Sequence, residues 1–396
     1  MVRRYLQFDQ SGSLGTNNIY STRLLAWLLA VTLLFPSTTA TGSEIRVGNS
    51  CTKLNATAKS KGLRFTCIKS GKKLIWSKGV KVSSKPGHSA NPKLEVDLYA
   101  GISNPLKPLT TSVEQSLQTT DGRIRTYRLF VPHALTSKKP APLVIALHGG
   151  LGSATQFEAN SGLSEFAETN GFYVAYPNGV GALEGLSTLQ TWNAGDCCGP
   201  AAKNNVNDLA FIRTLISILK TTYTIDSKRI FIIGHSNGAM MAYKIACELS
   251  DQISGIGVQA GSLGMEECRS SHPVSLIHIH GTSDSNFPIS GGTGNGVAGI
   301  PFRSARFAVD TIASANKCEV NPQVFPYKRN TDLTIYSWNK CANSSSIRYI
   351  TVEGATHAWM GHPAQSNLAQ SYVGAPYEKL DATRAILSFL LSLPRP

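Results

Sequence analysis

The sequence predicts an α/β fold with a mostly parallel central sheet and helices on both faces, preceded by a small basic β-hairpin-like module. Three observations carry the prediction. From residue 111 onward, short apolar runs alternate with segments of helical period, the pattern of strands covered on both faces by crossover helices. The 396 residues suffice for one large domain of about 250–300 residues and an appendage. The composition, 42% hydrophobic and 16% charged, excludes a disordered chain.

The elements follow in chain order. Leu24–Phe35 is an apolar run that follows Arg23 and precedes Pro36 and a stretch of small residues. It is too short to span a bilayer comfortably. Basic flank, apolar run and small-residue exit read as a signal peptide over residues 1–40, cleaved after Ala40, with a short membrane anchor as the alternative. The mature chain is then expected to be secreted and extracellular, with no stable membrane span and with its eight cysteines in disulfides. Residues 48–81 form a small module bracketed by Cys51 and Cys67, with strands at Thr66–Ile68 and Leu74–Trp76 joined by a turn at Ser70-Gly71. So small a piece buries little core, so a Cys51–Cys67 bridge is expected to support it. Residues 82–110, rich in Ser, Pro, Lys and Asn, read as a linker, and residues 111–396 as the large α/β domain. There the predicted strands are Ile124–Val131, Leu143–Leu147, Phe172–Tyr176, Arg229–Ile233, Ile253–Gln259, Val274–His280 and Ile347–Val352. The predicted helices are Phe157–Glu168, Leu209–Tyr223, Gly238–Leu249 and Leu380–Leu393.

Charge is unevenly distributed. Residues 1–110 carry 16 Lys/Arg against 4 Asp/Glu, whereas the remainder carries 22 against 20. The large domain is near-neutral, and no nucleic-acid partner is expected. The basic module is expected either to hold the protein on an anionic cell surface or polymer, or to act as a solvated spacer.

The strongest chemical signal is Gly234-His235-Ser236-Asn237-Gly238, set between the apolar run IFII and the helical AMMAYKIACEL. Strand, sharp turn and helix are the setting in which a serine projects above a sheet as a nucleophile. An acid and then a histidine should follow in the chain. Asp284, in HIHGTSD just past the strand Val274–His280, is the expected acid. His357, past the strand Ile347–Val352, is the expected base, with His362 as the runner-up. The oxyanion of a tetrahedral intermediate needs two amide donors: Asn237 after the nucleophile, and Gly150 in the loop after Leu147, with Gly149 and Leu151 as alternatives. Trp192 and Trp359 are the candidates for a substrate-binding wall. No HExxH, paired CxxC or dinucleotide fingerprint occurs, so neither metal nor cofactor is expected.

In this order, LHGGLGSA, TWNAGDCCGPAA, GHSNGAMMAYKIACELSD, HIHGTSD and GATHAWMG resemble the esterase/poly(3-hydroxybutyrate) depolymerase family of α/β-hydrolases, which is related to feruloyl and acetyl-xylan esterases. The resemblance covers residues 115–394. It implies an α/β-hydrolase fold and an exported serine esterase with Ser236, Asp284 and His357 as triad. Its substrate would be a polyester oligomer or an acylated plant polysaccharide. Two positions depart from the pattern: Asn207 stands where relatives often carry Asp, and Ala239 follows Ser236-Asn237-Gly238 where polymer-degrading members often have Gly. The second departure favours smaller esters. A peptidase or acyltransferase using the same triad is the enzymatic alternative, and a non-catalytic surface-binding protein on this fold is the alternative of another class.

Among the cysteines, Cys318 ends the helical FAVDTIASANK and Cys341 the strand-like LTIYSWNK, and the two are expected to pair across a loop of moderate length. Cys197, Cys198, Cys247 and Cys268 allow three pairings. Two bridges tying the Trp192 loop to the segments after the helix that follows Ser236 are the favoured arrangement.

Overall fold

The computed structural model describes residues 46–81 and 96–394, apart from 55, 62, 78–79, 134, 136–138, 184–187, 297 and 364–365. The expected signal peptide lies outside the described residues. The chain divides into two compact units, with the boundary between Lys93 and Leu94.

The first unit is a small antiparallel sheet of β1 (Thr57–Ser60), β2 (Leu63–Ser70), β3 (Lys73–Trp76) and β4 (Val80–Lys81), in which β2 pairs with each of the others. Among the described residues Phe65 and Cys67 are its buried side chains, and a disulfide joins Cys51 to Cys67. So little apolar burial leaves the covalent link to restrict the unfolded chain.

The second unit holds a ten-stranded sheet: β5 (Val113–Gln118), β6 (Ile124–Phe130), β7 (Ala141–Leu147), β8 (Tyr173–Pro177), β9 (Ile225–His235), β10 (Gly255–Gln259), β11 (Ser275–Gly281), β14 (Gln323–Pro326), β15 (Leu333–Trp338) and β16 (Ile347–Val352). A short ribbon, β12 (Gly292–Thr293) and β13 (Pro301–Phe302), stands apart. The spatial order is β14-β15-β16-β11-β10-β9-β7-β8-β6-β5. From β16 to β8 the neighbours are parallel, and an antiparallel pair closes each edge. This is the strand order of an α/β-hydrolase.

The central strands are buried on both faces because helices cover both. On one side, Leu143, Ile145, Ile232 and Ile256 pack with α4 (Asp208–Thr222), α5 (Asn237–Glu248) and α6 (Ala305–Ala315). On the other, Val144, Phe231, Ile277 and Ile350 pack with α1 (Ala154–Ser161), α2 (Leu163–Asn170) and α8 (Ala382–Leu391). The shorter helices are α3 (Gly199–Lys203) and α7 (Asn367–Val373). Where sequence periodicity predicts one helix over 157–168, two form. Gly162 sits between them at φ 64, a left-handed turn that ends α1 and starts α2.

The expected linker requires a correction. Residues 96–110 belong to the second unit: Leu98 and Ile102 are buried in its core, and Ser388 and Arg384 of α8 donate to the carbonyls of Ala100 and Ile102. The polar composition of this stretch conceals two apolar anchors that pay for its ordering. Residues 82–95 lie outside the described residues.

The chain passes from β7 outward to β8 and then returns to β9 on the other side of β7. The switch in direction opens a crevice beyond the carboxyl ends of β7 and β9, where open α/β sheets hold their ligands.

Candidate active site

Ser236 stands at that crevice, between β9 and α5, with φ 54 and ψ −118. Left-handed backbone at a non-glycine residue is strained, and the surroundings must hold it. Crowding explains the flanking glycines. A Cβ on Gly238 would strike the carbonyls of Leu147 and His148 at the end of β7, and one on Gly234 would strike the Gly238 backbone. The sharp turn therefore tolerates no side chain at either position.

The loops after β9, β11 and β16 bring Ser236, Asp284 and His357 together. His357 Nε2 lies 2.9 Å from Ser236 Oγ, and His357 Nδ1 lies 2.8 Å from Asp284 Oδ2. Asp284 Oδ1 accepts the amides of Asn286 at 3.0 Å and Phe287 at 2.8 Å. Asp284 is 4% exposed and His357 6%. Burial alone would raise the Asp284 pKa. The hydrogen bond and charge of His357, with the Phe287 amide, outweigh it and hold the carboxyl below its ordinary value.

Two residues that sequence reasoning passes over fix the His357 loop. His235 Nε2–H donates to the His357 carbonyl at 2.8 Å, and its ring lies 5.0 Å from the His357 ring. Burial, then the neighbouring His357, drives the His235 pKa down to about 3, so the ring is neutral. Gln259, at the end of β10, donates to the Ala358 carbonyl at 2.9 Å and accepts the Met360 amide at 3.1 Å. A glutamine closing the apolar run GIGV gives no signal of this in the sequence. His362, the runner-up base, instead meets Asp381 Oδ1 at 3.3 Å.

The loop after β7 is held as closely. His148 Nδ1–H donates to the Gly149 carbonyl at 2.8 Å, and its Nε2 accepts the Gly179 amide at 3.0 Å. Both ring nitrogens are thereby assigned. Burial lowers the His148 pKa to about 4. The Gly149 carbonyl also accepts from Gly152 at 3.1 Å. Gly150 faces Asn237, whose Cβ would be 3.6 Å from a side chain built there.

The two tryptophans expected to form a substrate wall are corrected to structural roles. Trp192 is fully buried; its indole N–H donates to the His148 carbonyl at 3.0 Å, and its backbone amide donates to Asn237 Oδ1 at 2.7 Å. Trp359 is 5% exposed, stands edge-on to Phe157 and donates to Thr383 Oγ1 at 2.8 Å. Satisfied ring N–H groups and packed faces leave neither ring for a ligand.

The cysteines of the Trp192 loop also need a correction. Disulfides join Cys197 to its neighbour Cys198, Cys247 to Cys268, and Cys318 to Cys341. No bridge ties the loop to the segments after α5. Hydrogen bonds secure it instead: Asp208 accepts the Asn193 amide at 2.8 Å while bound to Arg125 at 2.8 Å, and Lys244 of α5 donates to the Asn193 carbonyl at 3.1 Å. Cys268 lies beside the end of α5, Cα 4.9 Å from Cys247.

Among the described residues, no group of three His, Cys, Asp or Glu side chains is arranged to hold a metal ion, and no helix is long and apolar enough to cross a membrane.

Residues 125–295 match the family described as "Esterase PHB depolymerase". "Feruloyl esterase B" of Piromyces equi is 29% identical over 57% of this chain, and the match spans 41% of that protein's length. "Putative esterase NocK" of Nocardia uniformis subsp. tsuyamanensis is 27% identical over 83% of this chain and 97% of its own. The solved acetyl xylan esterase from Aspergillus awamori has a TM-score of 0.47 at 15% identity, over 62% of this chain and 94% of that one.

Proposed function

On the match of residues 125–295 to the esterase PHB depolymerase family, and on the likeness to named esterases, we propose that the chain hydrolyses carboxylic esters through an acyl-Ser236 intermediate. The observation that carries this reading is the unbroken run of contacts from Ser236 Oγ through His357 to Asp284. A serine hydroxyl is a poor nucleophile at neutral pH. His357 Nε2 takes its proton as Oγ attacks the ester carbonyl, and Asp284 stabilises the imidazolium that forms. The proton then passes to the leaving alcohol. Water, deprotonated by His357, attacks the acyl-enzyme, and the acid departs as Ser236 regains its proton.

Asn237 and Gly150 are the proposed oxyanion donors. Asn237 is the first residue of α5, and its amide has no intrahelical acceptor. In a trans peptide the carbonyl and the following N–H point opposite ways. His148 and Gly152 hold the Gly149 carbonyl, so the Gly150 N–H is turned away from them.

The substrate is proposed to be a polyester oligomer or an acylated plant polysaccharide. Leu151, next to Gly150, is 43% exposed, and Leu189, beside the Gly152–Gln190 bridge, is 53% exposed. An apolar rim beside the oxyanion loop suits an acyl chain. Export is supported by the apolar Leu24–Phe35 run and four disulfides, which persist in oxidising compartments. The basic first unit is proposed to bring the enzyme to an anionic surface or polymer.

Two measurements test the reading. A fluorophosphonate should label wild-type protein at Ser236 and leave Ser236→Ala unlabelled. A panel of hydroxybutyrate oligomers, feruloylated sugars, acetylated xylan and short acyl esters should show turnover on at least one class. Absence of both labelling and turnover would sink the proposal.

A further inference from the structure

A line of buried hydrogen bonds leads to the same Asp284 oxygen, Oδ2, that His357 meets. His278 and His280 stand two apart on β11, so their rings leave the same face of the strand, and both are fully buried. Tyr243 Oη of α5 lies 2.6 Å from His278 Nδ1, and His278 Nε2 lies 3.0 Å from His280 Nδ1. His280 Nε2 lies 2.8 Å from the Phe287 carbonyl and 3.5 Å from Asp284 Oδ2.

One acceptor fixes every hydrogen in this line. The Phe287 carbonyl can only accept, so His280 carries its proton on Nε2. A neutral His280 then presents a bare Nδ1, and His278 donates to it through Nε2. His278 Nδ1 is bare in turn and accepts the Tyr243 hydroxyl. Burial pushes both imidazoles below their ordinary pKa, which keeps them neutral. A cationic His280 would reverse the line and take from Tyr243 the acceptor it now uses.

The titratable groups around the pair are few. His280 is faced by Asp284 and His357 from the loops after β11 and β16, by His235 at the turn before Ser236, and by His278 on its own strand. His278 is faced by Tyr243 from α5 and Tyr349 from β16. Among the described residues Asp284 is the one anion near His280, and it would draw a proton onto a His280 whose Nδ1 were free. The carboxylate would then be divided between two cations, and the imidazolium of His357 would lose part of its partner.

We propose that His278, held by Tyr243, is a positioning residue that keeps His280 a neutral Nε2–H donor and so reserves Asp284 for His357. This rests on the assignment of Asp284 and His357 as the acid and base of the esterase.

Histidine ¹⁵N NMR of the wild-type full chain tests it without any turnover, so its outcome is separate from that of the esterase reading. Both residues should be Nε2–H tautomers that do not titrate between about pH 5 and 9, across the ordinary histidine range. A His280 that titrates there, or that carries Nδ1–H, overturns the proposal. In kinetics on a soluble ester, His278→Phe should steepen the acid limb of kcat/KM from one ionisation to two. With two ionisations the limb should fall about a hundredfold per pH unit where one gives about tenfold. His278→Gln, whose amide still has an N–H to offer His280, should keep a single ionisation. A folded His278→Phe variant with the wild-type limb overturns the proposal as well.

Discussion

Asn237 and Trp192 hold each other by two reciprocal bonds: the asparagine Oδ1 accepts the tryptophan amide at 2.7 Å, and its Nδ2 donates to the tryptophan carbonyl at 3.1 Å. Since the Trp192 indole donates to the His148 carbonyl, one side chain couples the start of α5 to the loop after β7. Asn237→Ala should leave the Trp192 amide buried without its acceptor, at a cost of about 1–3 kcal/mol. Thermal denaturation should show the loss. Turnover should fall by about 10- to 100-fold at nearly constant KM, because the two proposed oxyanion donors lose their common strut. A variant with wild-type kcat would remove Trp192 from this role.

Ser236→Ala, Asp284→Ala and His357→Ala should each cut kcat by about 10⁴-fold or more while the circular dichroism stays native. Double variants should be little worse than single ones, because the three groups act as a unit. A low-activity His362→Ala beside a fully active His357→Ala would transfer the role of base to His362.

Stability should decline in mild acid, and the buried imidazoles set the window. A histidine whose native pKa lies below its unfolded value, about 6.5, binds a proton more readily once the chain unfolds. Their stabilisation is therefore complete above about pH 6.5 and falls as pH drops toward the native values of about 4 for His148 and about 3 for His235. Asp284 acts lower: its contribution is present above the ordinary carboxylate pKa of about 4 and is lost as pH falls through its depressed native value. Denaturation midpoints measured from pH 7 to 4 should fall. His235→Gln, which retains a donor for the His357 carbonyl, should flatten that slope; an unchanged slope would exclude His235 as a contributor.

The Cys247–Cys268 bridge closes a sequence separation of 21 residues at the far end of α5, about 16 Å along the helix from Ser236. Replacing both cysteines by alanine should cost about 3 kcal/mol through the freed unfolded chain. The midpoint of denaturation should drop while kcat on a soluble ester at 25 °C stays within about twofold, since the change in barrier is expected to be under 0.5 kcal/mol. A large loss of kcat would tie the bridge to the nucleophile.

Two truncations separate the units. Removing everything through Lys93 should preserve turnover of a soluble ester and weaken adsorption to an anionic polymer at low salt, where exposed charges are least screened. Removing everything through Thr110 strips Leu98 and Ile102 from the core, at about 1.5–3 kcal/mol for each side chain, and should lower the melting temperature sharply. Equal adsorption by the full chain and the shorter truncation would refute a surface role for the first unit.

The parts legible in the sequence are those in which short-range pattern and chemistry coincide. Gly234 to Gly238 lies between an apolar strand and a helix, so the turn and its steric demand are local. The alternation that places Asp284 and His357 past β11 and β16 is local as well. What stayed hidden depends on partners distant in sequence. The burial of Trp192 rests on carbonyl 148, and that of Trp359 on hydroxyl 383. The grip of Gln259 on the His357 loop spans about a hundred residues, and no periodicity encodes it. β5, VEQSLQ, carries few apolar residues and forms at an edge because β6 supplies its hydrogen bonds.

β7 and β9 are hydrogen-bonded neighbours with Leu147 opposite Gly234, so the loop carrying Gly150 and the turn carrying Ser236 depart from adjacent strands in the same direction. The gap between the two proposed amide donors is thus inherited from strand spacing, about 4.8 Å, rather than from the loops. A loop at the rim, such as that around Leu189, can lengthen, shorten or change chemistry without moving that gap. In such an architecture the bond to be broken and the molecule that carries it are specified by different parts of the chain, and substrate range can drift while the reaction stays constant.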